Sequence, residues 1–347
     1  LRESEVFMRR PASILTSVLL GAGIVLTAAG CSGSPTPSPT STTSAPTPTA
    51  AADVDLCATT AGPQVQQVSV SGPMGAAPTV TFANGLSTDT TERAVVVQGE
   101  GPQLPDGGTA HISYVVYNAA TGKQLESYGY ATGEDTVLTA SPSSGLLGFA
   151  KAIACENVGS RIAAVIPPSD AFGDQGNSNV GVGGSDSLVL VVDIGAIVPN
   201  SAWGQPQTPT PSPDMPTVAL GADGTPSITI PAGAKPPTQL QTQLLKKGDG
   251  PVVKEGATVV VQYLGVQWDT GQVFDQSWGK GLATLPLNQV VDGFSKALVG
   301  QTVGSQVLAV LPPSEAYGDQ PSDSNPLAGK TLVFVIDIVD VLATSTS

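Results

Sequence analysis

The residues able to do chemistry are few. Tyr263, Phe274, Asp275, Val290, Val291, Phe294, Tyr317 and Phe334 form one candidate constellation, with two hydroxyls and one carboxylate among apolar side chains. It contains no nucleophile–base pair. A Ser-His-Asp or Cys-His enzyme would have to use His111, the one histidine of 347 residues. His111 precedes a strand and joins no constellation, so a surface or strand-edge place is expected for it. One histidine and three cysteines leave little for a transition-metal site, and no metal and no cofactor are predicted. With 14 Lys+Arg and a net charge of −14, the chain has no basic patch to neutralise phosphates, and no nucleic acid is expected as a partner.

These residues need elements to hold them. Residues 148–175 and 293–320 are identical at 16 of 28 ungapped positions, so the chain carries a duplicated domain with a period of about 145 residues. SLVLVVDI (187–194) parallels TLVFVIDI (331–338), which extends the repeat. In the second copy Val259, Val261 and Tyr263 alternate with Thr258, Val260 and Gln262. Leu332, Phe334, Ile336 and Ile338 share one face of another strand. Residues 305–311 and 240–245 read as two more strands. Val290, Val291, Phe294 and Leu298 sit at helical spacing and predict one short amphipathic helix ending at Gly300. The fold class is α+β, one helix on a mostly antiparallel sheet.

VVVQYLG, VFDQSW, QVVDGFSKAL, LPPSEAYGD and LVFVIDI, in that order, resemble the FKBP-type peptidyl-prolyl cis-trans isomerases over roughly residues 238–342. The resemblance implies two tandem domains, each a twisted antiparallel five-stranded sheet wrapped around a short helix. It also implies an apolar, aromatic-lined pocket. Position by position, it gives Tyr263, Asp275 and Tyr317 catalytic roles and makes Phe274, Val290, Val291, Phe294 and Phe334 substrate-binding. Tyr263 is expected to hydrogen-bond Asp275, and Lys280 could pair with it. The floor is Phe294 where the family usually has Trp, and the wall aromatic is missing near Leu282–Leu285. Alternation alone would make Val290, Val291 and Phe334 plain core residues, Tyr263 a buried tyrosine and Asp275 a turn residue. The implied partners are proline-containing protein or peptide substrates, and macrolide inhibitors. The competing reading is a non-catalytic chaperone or protein-binding module on a degenerate FKBP fold.

The first copy keeps Tyr114 and Phe149 but replaces Phe274-Asp275 by Leu125-Glu126, Tyr317 by Phe172, Phe334 by Leu190 and the valine pair by Gly145-Leu146. Weak or no activity is expected there, with a binding or spacing role. Residues 1–31 read as an export signal: Met8-Arg9-Arg10, an apolar run, then Ala28-Ala29-Gly30-Cys31. This resembles a lipobox with Cys31 lipidated, although Ala28 stands where Leu is usual; an ordinary secretory signal is the alternative. The expected location is outside the cell, lipid-anchored to the outer face of a bacterial membrane. Residues 32–53 read as a Ser/Thr/Pro-rich tether and 201–216 as a semi-rigid Pro-rich linker, with domains at 54–200 and 217–347. In an exported protein Cys57 and Cys155 suggest one disulfide, the alternative being two free thiols.

Overall fold

The computed structural model describes residues 54–131, 136–143, 145–208, 212–321 and 324–343. The export signal, Cys31 and the tether lie outside the described residues.

The N-terminal half runs β1 (Ser69–Ser71), β2 (Thr79–Thr81), β3 (Glu92–Val97), β4 (Thr109–Asn118), β5 (Gln124–Tyr128), β6 (Val137–Thr139), α1 (Leu147–Ile153), β7 (Arg161–Ile166) and β8 (Leu188–Val198). The C-terminal half runs β9 (Gln205–Pro206), β10 (Thr217–Leu220), β11 (Pro226–Thr229), β12 (Gln241–Lys247), β13 (Thr258–Gln267), β14 (Val273–Gln276), β15 (Ala283–Pro286), α2 (Asp292–Leu298), β16 (Gln306–Leu311) and β17 (Leu332–Leu342). The two antiparallel sheets have one design. In the first the order is β3-β7-β8-β4-β5, with β6 also on β4. In the second it is β12-β16-β17-β13-β14, with β15 also on β13 and β9 added outside β12. The five-strand, one-helix expectation holds in both halves, with the outer strand broken into two short pieces.

β16 and β17 are apolar on both faces because both faces are covered. Val307, Ala309, Leu311, Phe334, Ile336 and Ile338 pack with Phe294 of α2. Leu308, Val310, Val333 and Val335 pack instead with Trp268, Trp278, Met215 and the β10–β11 hairpin. The first half repeats this: α1 covers one face, and β1–β2 covers Ala163, Val165, Val189 and Val191 on the other. The duplicated unit therefore includes a leading hairpin, visible in retrospect as PTVTF (78–82) against PSITI (226–230).

α2 is shorter than its periodicity suggests. Val291 is extended at φ −62°, ψ 148°, so Val290 and Val291 precede the helix rather than belong to it. Both are buried by packing all the same, which imitates helical spacing. Gly300, at φ +87°, follows the helix end in a left-handed conformation. Gly293 lets the helix sit close to the sheet, since a Cβ there would lie 2.5 Å from Leu311 Cγ.

The Pro-rich linker at 201–216 is paired with the second half's sheet at its start. Gln205 and Pro206 pair with Lys247 and Lys246 of β12, and Ala202 and Met215 are buried. Proline suits this place, because a sheet's outer edge needs no donated N–H. The Ala202 N–H donates to Asp337 Oδ2 at 2.8 Å, and the Lys246 ammonium to the Ala202 carbonyl at 2.9 Å. Asp337 also accepts from Gln306 at 2.7 Å. In the first half the matching pair is a buried Arg161–Asp193 ion pair at 2.5 Å. Arg161 donates further to the Gly72, Pro73 and Ala76 carbonyls at the hairpin tip. Cys57 and Cys155 form the expected disulfide, Cα–Cα 5.5 Å, across a separation of 98 residues. His111 is not isolated: its Nε2 lies 2.8 Å from Asp340 Oδ2 on β17 of the other half.

Candidate active site

β13, β14, β17, α2 and the turns that precede α2 and follow β16 bring the eight predicted residues to one place between helix and sheet. Phe294 projects from α2 onto the sheet. Its ring meets Phe334 of β17 edge-on at 5.4 Å and Tyr263 of β13 at 6.4 Å. Phe274 of β14 meets Phe334 at 5.5 Å and 90°. Each edge-to-face pair adds roughly 0.5–1.5 kcal/mol beyond area burial. Gly265 makes the arrangement possible: a Cβ there would lie 2.7 Å from the Phe274 ring and 2.9 Å from Phe334.

The floor of this cluster is closed. Phe294 is 0% exposed and Phe334 1%, while Val290, Val291 and Leu327 are also buried. Phe274 and Tyr317 are half-buried, so they are the rings a ligand would touch. Two clefts elsewhere on this half, of about 600 and about 340 Å3, are lined by the β11 end, the 231–238 segment, the β13–β14 turn and the Pro312–Asp319 turn. Neither includes the ring cluster.

The polar groups lie at the rim. The Tyr263 hydroxyl donates to Asp275 Oδ2 at 2.6 Å, and the Gln276 N–H donates to Oδ1 at 2.8 Å. Lys280 lies 3.7 Å from the same carboxylate. Burial nevertheless raises the Asp275 carboxyl above its usual range; the Tyr263 bond, the Gln276 N–H and Lys280 oppose this without cancelling it. Tyr317 follows the Pro312-Pro313 turn. Its hydroxyl oxygen is buried and has no hydrogen-bond partner among the described residues. Burial, and then the nearby Asp275 charge, raise its pKa strongly, so it remains a protonated donor. A buried unpaired donor is costly, and functional sites are where such groups collect.

Two residues outside the predicted set fix the rim. Ser277 N–H donates to the Tyr263 carbonyl at 3.0 Å, and the Tyr263 N–H returns a bond to Ser277 Oγ at 2.9 Å. Ser277 Oγ in turn donates to Gln262 Oε1. Ser277 sits within the VFDQSW motif, but nothing in its type or spacing distinguishes it from a turn serine.

The first half retains the scaffold. Tyr114 contacts Phe149 at 5.7 Å and Tyr128 at 6.4 Å. Lys151–Asp170 at 2.6 Å occupies the place of Lys296–Glu315 at 2.7 Å. Glu126, opposite Val116 on β5, is exposed, and Phe172 carries no hydroxyl. A buried carboxylate and a tyrosine donor are thus both missing from the equivalent rim.

Residues 250–339 match the sequence profile described as FKBP-type peptidyl-prolyl cis-trans isomerase. An FK506-binding protein of Streptomyces anulatus is 38% identical over 120 residues, covering 33% of this chain and 96% of that protein. A probable FK506-binding protein of Corynebacterium glutamicum is 36% identical over 115 residues, covering 33% and 96%. The crystal structure of FkpA from Escherichia coli aligns at TM-score 0.28 and 28% identity, over 36% of this chain and 52% of that one. Matching two FK506-binding proteins at 36–38% identity over 96% of their length, the chain belongs to the FKBP-type peptidyl-prolyl cis-trans isomerases.

Proposed function

We propose that this isomerase acts on X-Pro bonds of exported proteins during their folding, through one site in the second half. The observation that carries this reading is the buried, unpartnered Tyr317 hydroxyl beside the Tyr263–Asp275 pair. The reaction is rotation about an amide whose barrier is about 18–20 kcal/mol, because resonance must be broken. It breaks no bond and needs no nucleophile, metal or cofactor. A prolyl ring resting on Phe274 and the closed floor loses the water that favours the planar, polarised amide. The Tyr317 O–H is free to donate to a carbonyl oxygen next to the proline. Tyr263, Asp275 and Lys280 hold the rim, while Val290 and Val291 close the side next to α2.

Macrolide inhibitors would occupy the same floor, with affinity altered by Phe294 in place of an indole. The export signal and Cys31 would place the protein at the outer face of the cell membrane, lifted by the 32–53 tether. Cys31→Ser should release it from the membrane fraction; retention there would refute lipid anchoring. The catalytic reading is tested by the relaxation of a short X-Pro peptide, which takes tens to hundreds of seconds unaided. The rate should rise in proportion to added protein, and a spontaneous rate at every concentration rejects the reading.

A further inference from the structure

The first half lacks the rim groups, yet it is tied to the rim of the second. Asn200, two residues past β8, accepts a bond from Gln262 Nε2 through its Oδ1 at 2.9 Å. Gln262 is 2% exposed, and its Oε1 accepts the Ser277 hydroxyl. Ser277 Oγ takes the Tyr263 N–H, and Tyr263 holds Asp275. A continuous chain of bonds thus runs from the end of the first half to the carboxylate of the site.

Packing follows the same line. Val198 of β8 is buried with Val260, Val339 and Leu342, and Val137 and Leu282 pack against them. The turn between Ser277 and β15, which carries Lys280, rests on the first half. A Cβ on Gly281 would lie 3.2 Å from Thr139 Cγ2 of β6. His111 and Asp340 close the edge of this contact at 2.8 Å. Leu282, which follows Gly281 in this turn, packs against the same Val198 cluster, so the first half braces this side of the rim.

We propose that the first half is a positioning domain for the second half's site, with Asn200, acting through Gln262 and Ser277, as the positioning residue that holds the Tyr263–Asp275 pair. The proposal rests on the reading of that pair and Tyr317 as the site. It assigns the degenerate copy a role that is neither a second catalyst nor a spacer. Asn200 is exposed, so changing it should leave the fold intact.

The test uses the full chain and a short X-Pro peptide, well below the melting temperature, with a thermal melt for each variant. Asn200→Ala should lower kcat/KM roughly three- to tenfold with an unchanged melting temperature, the size of one hydrogen bond. Asn200→Asp, which keeps an acceptor oxygen for Gln262, should restore the rate. Thr139→Trp, which pushes on the Gly281 turn, should lower the rate independently. Tyr317→Phe serves as the site control. If Asn200→Ala and Thr139→Trp keep full activity while Tyr317→Phe loses it, the positioning role is overturned and the site reading survives. Equal loss in Asn200→Ala and Asn200→Asp also overturns it. A wild-type chain without activity overturns both.

Discussion

Tyr317→Phe should make the protein more stable and less active at once. Its hydroxyl oxygen is buried and makes no bond among the described residues. Burying such a group unpaired costs about 1–3 kcal/mol. Removing it while keeping the ring should therefore gain about 1 kcal/mol, allowing for partial relaxation. For a chain of 347 residues that is a melting temperature higher by about 1–2 °C. In the proposed mechanism the same hydroxyl would donate to a carbonyl only when substrate is bound, a bond worth about 0.5–1.5 kcal/mol. Its loss should cut kcat/KM by roughly two- to tenfold. The assays are a thermal melt and peptide relaxation on the same preparations. The first copy already carries the change, as Phe172. A melting temperature that falls, or an unchanged kcat/KM, would refute the argument that this donor is held idle for substrate.

Three further outcomes follow from the geometry. Because burial raises the Asp275 carboxyl, the folded state holds that proton more tightly than the unfolded chain; its stabilising contribution is full below the ordinary 3.8 and is lost as pH rises through the raised value. Asp275→Asn should flatten the fall of the melting profile as pH rises above the ordinary 3.8, and an unaltered slope would contradict the assignment. Gly265→Ala should cost about 1–3 kcal/mol and reduce activity, because its Cβ must displace the Phe274 or Phe334 ring; wild-type values on a denaturant curve and a rate assay would dispose of the close-approach argument. Removing the Cys57–Cys155 bond opens a loop of 98 residues and should lower stability by up to about 4–5 kcal/mol, read from the denaturant midpoint; a midpoint unchanged on reduction would show the bond does not constrain the unfolded chain.

The repeat, the strands and the residues of the ring cluster were legible because each is written in types and spacing that survive without context. Tyr263, Phe274 and Asp275 are fixed in relation to one another by strand alternation and the ordered motifs, and the structure brings them together with Phe294, Tyr317 and Phe334. Periodicity alone runs α2 back over Val290 and Val291, which the family resemblance places ahead of the helix; both are buried from extended backbone, and burial alone does not reveal the backbone that delivers it. The pairing of Gln205 and Pro206 within the 201–216 linker was not legible, because proline encodes extension, which serves an edge strand and a linker equally. The hairpins were too short and exposed to show periodicity; only the need to cover a second apolar sheet face explains them. His111, Asn200 and Gln262 carry no pattern, since their partners lie 229, 62 and 62 residues away across the junction of the halves.

The central claim is that one of two similar halves performs the isomerisation. Relaxation of an X-Pro peptide tests it directly, with the full chain carrying Asp275→Ala and Tyr317→Ala together, or Glu126→Ala and Phe172→Ala together. The account predicts that the first pair removes nearly all acceleration and that the second leaves it close to wild type. Loss with the Glu126 and Phe172 changes and retention with the Asp275 and Tyr317 changes would contradict it.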